Sequence, residues 1–525
     1  MDSGMWPPLK YRRTPRPRCV NGPTTASRPR RLRRLRYAAM SDELKVVLVS
    51  NRGPISFIAA DDGFDTKRGA GGLAGALDPV ARRLGDRAIW IAAATSDTDR
   101  RAVRSGETEQ LRDLLGYRVT LLDIEPEVYS RYYNEVSNRM LWFANHCLWD
   151  ELNIREFGER ELSAWREAYE PVNRLFAEAV AKRTERDSIV LFQDYHLATA
   201  PGHLRALRRD QTIFHFTHSS FCGPNGLERL PRPIPRQTLE GMLGADLLGF
   251  HVPPWADNFY GCCERIGATV DRTSGIVEHA GRRTWVRTYP IPIDPTDLRE
   301  RAAGELATKW ATRFVEDTGG PLVVRADRSE PSKNIVRGFE AFGMLLDRRS
   351  DLAGTARFVA CLYPSRQAMP EYARYVEQIE ATVERINVRH PSSIQLFMKD
   401  DFDRTLGALR VYDVLLVNSI MDGMNLVSKE GPSVNEKDGV LVLSSGAGSF
   451  HELGDAAVVI EDPLDVELTA AALEAALDTA PEERSRRAKR LQELAVARKP
   501  GDWIDAQLTD LVALREGRAP HTPAP

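Results

Sequence analysis

Residues 414–430 read VLLVNSIMDGMNLVSKE and join two kinds of pattern. Val414–Val417 is a short apolar run typical of a buried strand, and carboxylates follow it at Asp422 and Glu430. In α/β proteins, ligands bind where such a strand ends and the chain enters a helix. The segment places one carboxylate over a glycine turn and the other about two helical turns along. This arrangement suits one carboxylate to hold sugar hydroxyls and the other to hold a ribose.

Apolar strands alternate with helical segments along most of the chain. The pattern starts at Lys45, restarts near residue 295 and predicts parallel sheets covered on both faces. We therefore expect two doubly wound α/β domains that face a central cleft. The expected parts are a disordered basic extension (1–44), an N-terminal domain (45–295), a C-terminal domain (296–480), a helical segment (481–516) and a disordered tail (517–525).

Composition indicates an ordinary globular protein. The 525 residues are 42% hydrophobic and 28% charged, and no apolar run is long enough to cross a membrane. The scattered cysteines favour a reducing cytoplasm. Residues 1–40 hold ten arginines and one lysine against one aspartate. A transit peptide, a nucleic-acid-binding arm and a true start at Met40 are the alternative interpretations of this segment. We expect neither nucleic acid nor membrane as a partner, and a homo-oligomer stays open.

Glycines at Gly69–Gly72 lie between a strand and a helix, where backbone amides can approach an anion. The spacing fails the dinucleotide-binding pattern and the P-loop pattern. A turn that serves packing alone is the alternative. Nicotinamide and P-loop chemistry are therefore not expected.

Arg328 and Lys333 lie five residues apart after a strand, where two cations can converge on a diphosphate. Asp194 and His218 also follow buried strands, so we expect both in the cleft. No cluster has convincing metal-ligand spacing or a nucleophile elbow, so neither a metal nor a cofactor is expected. For the Arg328 to Lys333 segment, a solvated basic turn is the alternative.

Together these residues resemble the trehalose-6-phosphate synthase family of GT-B glycosyltransferases, from about Lys45 to about Leu511. Nine ordered motifs carry the resemblance: Ser50-Asn51-Arg52, Gly71-Gly72-Leu73, Tyr132-Tyr133-Asn134 with Ser137-Asn138 and Leu141-Trp142, Asp194-Tyr195-His196-Leu197, Asp246–Phe250, Tyr289-Pro290-Ile291, Arg328 with Lys333, Ser365-Arg366, and Asp422–Val427 with Lys429-Glu430.

The resemblance implies a role for each of these residues. Arg328 and Lys333 would bind the donor diphosphate, Gly72 would lie against its phosphates, and Glu430 would hold the ribose. Asp422, with the backbone of Gly423, Met424, Asn425, Leu426 and Val427, would hold the donor glucose. His218 and Asp194 would contact the transferred sugar, and Asp422, His218, Arg328 and Lys333 form the catalytic set. Arg52, Tyr133, Trp142 and Arg366 would bind the acceptor phosphate and complete its pocket. The implied partners are a nucleotide sugar and a sugar phosphate.

Several positions depart from the family pattern. His218-Ser219-Ser220-Phe221-Cys222 stands where the family has His-Ile-Pro-Phe-Pro, Ala93 replaces a tryptophan, and Ser-Glu-Pro follows Arg328 in place of Leu-Asp-Tyr. At these positions, and at Val434–Asp438, the sequence resembles that of the pseudo-glycosyltransferases that make validoxylamine phosphate. The intact Asp422–Val427 motif favours true glycosyl transfer. A different phosphorylated acceptor and a non-catalytic sugar-phosphate-binding homologue are the alternatives.

The donor base depends on Phe397–Asp403, which lies just before the Asp422 motif. A carboxylate there could accept the paired N–H donors of guanine, and an unpaired buried carboxylate would penalise uracil. An ordinary solvated turn is the alternative. We therefore expect GDP-glucose or UDP-glucose as donor, with a preference for the guanosine nucleotide.

Overall fold

Short apolar runs such as Val46–Val49 form the centres of two β-sheets in the computed structural model, which describes residues 44–61, 63–68, 72–154, 156–186 and 188–521. The expected disordered extension (1–44), apart from Leu44, and residues 69–71 of the glycine turn lie outside the described residues. The strands are β1 (Val46–Val49), β2 (Ile55–Ala60), β3 (Gly63–Arg68), β4 (Ala88–Ala93), β5 (Arg118–Leu122), β6 (Ile189–Gln193), β7 (Thr212–Phe216), β8 (Leu247–Phe250), β9 (Thr269–Asp271), β10 (Ile276–His279), β11 (Arg282–Thr288), β12 (Leu322–Arg328), β13 (Arg357–Tyr363), β14 (Ile394–Met398), β15 (Val414–Val417), β16 (Val440–Ser444) and β17 (Val458–Ile460).

The first sheet has the strand order β5-β4-β1-β6-β7-β8-β11-β10-β9. Its strands pair in parallel from β5 to β11, and β10 and β9 then add an antiparallel edge that the sequence analysis did not predict. Three neighbouring strands (β4, β1 and β6), and β8 beyond β7, are buried along their whole length, as strands covered on both faces must be. Strands β2 and β3 form a separate hairpin.

The second sheet is wholly parallel, in the order β14-β13-β12-β15-β16-β17. One apolar cluster covers each face, with Leu415 in one and Leu416 in the other, because alternate residues of a strand point to opposite faces. The chain changes sheets between β11 and β12, and on that basis we propose a domain boundary at residue 295.

The helices lie mainly between the strands. The α-helices are Gly72–Leu84, Asp97–Arg104, Leu111–Leu115, Pro126–Ser130, Trp142–Asn145, Glu159–Ala164, Glu170–Arg183, Ala200–Leu207, Pro224–Leu227, Ile234–Met242, Pro253–Arg265, Pro295–Ala302, Glu305–Glu316, Ile335–Arg348, Pro370–Arg389, Phe402–Val411, Val427–Val434, Phe450–Leu453, Val466–Leu477, Pro481–Ala495 and Pro500–Arg515. Short 3₁₀ turns cover Gly85–Arg87, Glu107–Glu109, Tyr195–Leu197 and Pro331–Lys333, and wider π-helical turns cover Arg131–Leu141 and Trp165–Tyr169.

The expected helical segment at 481–516 is two helices that pack on different sheets. Pro481–Ala495 lies along the second sheet, whereas Pro500–Arg515 crosses back to the first. Trp503 of the latter helix donates from Nε1 to the Tyr289 carbonyl at 2.9 Å and meets the Phe216 ring edge-on. The chain thus passes between the sheets twice. Past this helix, the His521 carbonyl accepts from Arg287 at 2.7 Å, within the tail that we expected to be disordered.

The described residues contain neither a membrane-spanning helix nor a metal-binding cluster. Within the described residues, no helix is both long and apolar enough to cross a membrane. The same part of the chain has no group of three or more His, Cys, Asp or Glu side chains that could hold a metal ion.

Candidate active site

The loop after β15 is fixed by hydrogen bonds on both sides of Asp422. The Asp422 amide donates to the Gly446 carbonyl at 3.0 Å, and the Asp422 carbonyl accepts from the Gly448 amide at 3.1 Å. Asn425 turns the chain in the left-handed region (φ 66°), and its side-chain oxygen accepts from the amide of Ser428 in the first turn of the next helix. The loop therefore presents the Asp422 side chain in one orientation.

Lys333 and Asp422 form a nearly buried ion pair. The Lys333 ammonium lies 2.5 Å from Asp422 Oδ2, and the side chains are only 11% and 15% exposed. The Asn425 side-chain amide donates to the same oxygen at 3.1 Å. Burial alone raises the pKa of Asp422, but the charge and hydrogen bond of Lys333 outweigh it and hold that pKa below its ordinary value. Both partners are therefore charged at neutral pH.

A fully buried arginine on β12 holds the backbone of Lys333, one partner of this pair. Arg325 donates from Nη2 to the Lys333 carbonyl at 2.9 Å and to Asp327 Oδ2 at 2.8 Å. A methyl group at Gly338 would lie 2.6 Å from Arg325 Nη1, so the adjoining helix approaches closely only because that residue is glycine.

Glu330 lies between two arginines and is fully buried. Its Oε1 is 3.0 Å from Arg328 Nη1 and 3.4 Å from Arg366 Nη1, and it accepts from Ser365 Oγ at 2.8 Å. Both guanidiniums also lie over the Trp142 ring, Arg328 at 5.5 Å and Arg366 at 4.4 Å from its centroid. Arg328, predicted to bind the donor, and Arg366, predicted to bind the acceptor, therefore share contacts with the Glu330 carboxylate and the Trp142 ring.

Arg366 reaches across to the first sheet. Its Nη1 donates to Tyr372 Oη at 2.7 Å, and its Nη2 donates to Tyr195 Oη at 3.3 Å. Arg52, at the end of β1, donates to Tyr133 Oη at 3.3 Å. Burial raises the pKa of the Tyr133 hydroxyl, but the charges of Arg366 and Arg52 outweigh it and leave that pKa below 10. Arg52, Tyr133, Trp142 and Arg366 thus form one cationic and aromatic cluster.

Asp194 and His218 lie at the ends of neighbouring strands β6 and β7. Asp194, itself in the left-handed region (φ 70°), accepts from the amides of His218 at 3.0 Å and Ser219 at 3.3 Å. Burial raises the pKa of Asp194 to about 6. Burial also lowers the pKa of His218 well below 6.5, and its Nε2 lies 2.9 Å from Gln193 Oε1. His218 is therefore a neutral ring held by Gln193.

The site has one side built on the first sheet and one built on the second sheet, and the two sides touch at Gly423. A methyl group there would lie 1.9 Å from the His218 carbonyl oxygen, so only glycine fits. The Gly423 carbonyl accepts from Trp255 Nε1 at 3.0 Å. Met424 is buried, and Leu426 and Val427 pack against the core of the second sheet. Of the predicted donor loop, Asp422 and Gly423 thus lie at the contact between the sides.

Glu430 lies one turn into the helix Val427–Val434. Burial alone raises its pKa to about 7. Burial raises the pKa of Tyr363, and the charge of Glu430 adds to that rise. Gly72 is the first residue of the helix Gly72–Leu84.

In the predicted base-binding segment, Phe397–Asp403, one of the carboxylates is a helix cap. Asp401 accepts from the amide of Arg404 at 2.9 Å and caps the helix Phe402–Val411. The Arg404 side chain donates to the Lys399 carbonyl at 2.6 Å. Asp400 is exposed.

Sequence reasoning missed Glu330, Gln193, Arg325 and His146. Glu330 lies between Arg328 and Lys333 in the sequence. A carboxylate flanked by two cations is a pattern that could have predicted an ion-pair network here. His146 lies against the Trp142 ring at 3.8 Å, and burial lowers its pKa to about 4. No local pattern marks His146 as a site residue, because the carboxylates whose charges act on it, Asp422 and Glu330, come from distant parts of the chain.

Comparisons with known proteins identify the chain's relatives. A model of glycosyltransferase family 20 matches residues 44–513. The trehalose-6-phosphate synthase of Mycolicibacterium smegmatis is 32% identical over 91% of this chain and 95% of its own. The validamine 7-phosphate valienyltransferase of Streptomyces hygroscopicus subsp. jinggangensis is 32% identical over 81% of this chain and 85% of its own.

A solved structure gives the same result for the fold. The UDP-forming alpha,alpha-trehalose-phosphate synthase of Burkholderia xenovorans, in complex with glucose-6-phosphate, superposes with a TM-score of 0.74. It is 26% identical and covers 89% of this chain and all of its own. The architecture is therefore GT-B.

Proposed function

The chain belongs to glycosyltransferase family 20, and from this premise we propose that it transfers glucose from a nucleotide-diphosphate-glucose to glucose 6-phosphate, giving α,α-trehalose 6-phosphate. Membership makes the protein a hexosyltransferase. The anomeric configuration would be retained, as the resemblance to the synthases implies. The observation that carries the proposal is the Lys333–Asp422 pair, which lies beside the two arginines that share Glu330.

On the donor side, Arg328 and Lys333 supply the positive charge that a departing nucleoside diphosphate needs. Asp422 accepts hydrogen bonds from sugar hydroxyls, and the backbone from Gly423 to Val427 lies along the same sugar. Glu430 receives the ribose, and Gly72 lies against the phosphates. The pKa of about 7 for Glu430 suits a carboxyl group that binds neutral hydroxyls.

On the acceptor side, Arg52 and Arg366 bind the phosphate of glucose 6-phosphate, and Tyr133 and Trp142 complete the pocket. Trp142 Nε1 is a buried donor with no hydrogen-bond partner in the described part of the chain. An orphaned donor beside a guanidinium is well placed for a phosphate oxygen. Asp194 and the neutral His218 contact the transferred glucose.

A second candidate is transfer to an aminocyclitol phosphate or another phosphorylated acceptor. The similarity to a validamine 7-phosphate valienyltransferase favours it, as does the His218-Ser219-Ser220 departure. The intact Asp422–Asn425 network favours the synthase instead. A non-catalytic homologue would have no need of the buried Lys333–Asp422 pair.

The donor base is part of the proposal. UDP is the product named for the Burkholderia relative. Asp401 already caps a helix, and Asp400 is exposed, so neither supplies the buried unpaired carboxylate that would penalise uracil. The guanosine preference therefore rests only on the chance for the exposed Asp400 to accept from the N–H donors of guanine.

The test is a nucleotide-release assay over a matrix of substrates. Uridine, guanosine and adenosine diphosphate glucose would each be combined with glucose 6-phosphate, glycerol phosphate and validamine 7-phosphate. The proposal expects the highest kcat/KM with glucose 6-phosphate. A higher value with validamine 7-phosphate would support the second candidate, and a uridine donor that outperforms guanosine would reject the base preference.

A further inference from the structure

Glu330 contacts the two arginines that the proposed function gives to different substrates. Its Oε1 receives Arg328, Arg366 and Ser365, and its Oε2 is buried without a hydrogen-bond partner in the described part of the chain. The side chain has no exposed surface, so water does not screen these contacts. Burial raises the pKa of Glu330, but Arg328 and Arg366 outweigh it and keep the group charged.

The charges around this carboxylate nearly cancel. Arg328, Arg366 and Lys333 are three cations, and Glu330 and Asp422 are two carboxylates, which leaves one net positive charge. Two ligands that each bear phosphate draw on that charge, and Arg52 adds a further cation on the acceptor side only. Glu330 therefore halves the net charge that the cluster would otherwise offer to anions.

We propose that Glu330 is a counter-ion shared by the donor and acceptor subsites, which weakens phosphate binding at each and makes the two ligands antagonistic. This inference rests on the proposed function, because it takes Arg328 to hold the nucleoside diphosphate and Arg366 to hold the sugar phosphate.

The antagonism follows because a buried carboxylate such as Glu330 is costly to leave without a cationic partner. When a sugar phosphate draws Arg366 away, Glu330 keeps Arg328 as its main cationic partner and holds it more strongly. The nucleoside diphosphate must then displace that contact. By linkage, each ligand lowers the affinity for the other by the same factor.

Calorimetry on the whole chain measures both effects. Uridine diphosphate, or guanosine diphosphate if it binds better, and glucose 6-phosphate are titrated alone and then each in the presence of the other. In the unaltered protein, each ligand should weaken the other about tenfold. In Glu330→Gln, each ligand alone should bind about tenfold more tightly, and the mutual weakening should fall below about threefold.

Glu371→Gln is the matched control. Glu371 is also a buried carboxylate, with Oε1 paired to Arg139 at 2.8 Å and Oε2 without a partner among the described residues, but no contact joins it to Arg328 or Arg366. Its affinities should equal those of the unaltered protein. Wild-type or weaker binding in Glu330→Gln, or unchanged antagonism, would overturn the inference. If neither ligand binds the unaltered protein, the proposed function itself fails.

A second pair of variants keeps the inference testable if Glu330→Gln does not fold. Arg366→Gln leaves Glu330 to Arg328 alone, so nucleoside diphosphate binding should weaken about fivefold. Arg52→Gln removes a cation that contacts Tyr133 and not Glu330, so the same binding should not change. Equal effects of the two variants would contradict a shared counter-ion.

Discussion

The two sides of the site handle charge in opposite ways. On the side of the second sheet, Lys333 and Asp422 keep their charges in a buried pair. On the side of the first sheet, burial lowers the pKa of His218 and His251 and raises that of Asp194. A site can therefore stabilise phosphate with the buried charges of one side and meet sugar hydroxyls with the neutral histidines of the other.

Lys333→Ala should have the largest effect, because it breaks the charged side. It removes the cation that we propose for the diphosphate and leaves Asp422 without its ion-pair partner. We expect kcat/KM to fall by about 10²–10³, or about 2.7–4 kcal/mol, as for loss of one donor to a developing charge. Nucleotide release measures it. Lys309→Ala, which removes an exposed helix-surface ion pair, is the control and should be near normal.

Gly423→Ala should break the contact between the sides. The new methyl group would overlap the His218 carbonyl oxygen, and neither backbone can retreat easily. We expect a loss of about 3 kcal/mol in the free energy of unfolding, at the upper end of overpacking costs, with a parallel loss of turnover. Gly501→Ala meets open space in a helix and should be neutral or stabilising by up to about 1 kcal/mol. Denaturant titration distinguishes the two.

Arg52→Ala should weaken binding of the acceptor and leave binding of the donor unchanged. Loss of a charge-assisted bond to phosphate costs about 1.5–3 kcal/mol, so the KM for glucose 6-phosphate should rise about thirtyfold. The donor KM should stay the same, since Arg52 contacts Tyr133 rather than the Lys333 cluster. An equal rise in donor KM would contradict this division.

Glu430 should give a small pH effect. Its pKa is about 7 in the folded protein and near 4.5 when unfolded, so the folded protein binds the extra proton between these values. Stability should therefore fall as pH rises from about 4.5 to 7, by roughly 1 kcal/mol or more. In Glu430→Gln this fall should shrink. The exposed Glu436→Gln is the control, and thermal unfolding at pH 5 and pH 7.5 is the measurement.

The sequence predicted what depends on local pattern. The family assignment from ordered motifs, the α/β class and the strands before Arg52 and Asp422 are confirmed. The sequence of Glu159–Lys182 has helical periodicity, and the structure is helical throughout, with a wider π turn at Trp165–Tyr169. Pro171, which has no amide hydrogen, follows that turn.

Contacts between distant segments could not be predicted. The Glu330 bridge to Arg366 and the approach of Gly423 to His218 depend on how the sheets pack. A single sequence gives residue types and local period but no register between domains. The roles of the individual site residues stay predictions.

The return of the last long helix to the first sheet has a consequence for synthesis. Trp503 covers Phe216, and Asp510 accepts a hydrogen bond from Tyr289, yet all of the second sheet is translated before either residue emerges. Domains usually fold as units from the N-terminus during translation. Here the first sheet keeps an apolar face open until the ribosome has finished the second, so its completion waits for the helix Pro500–Arg515 to emerge.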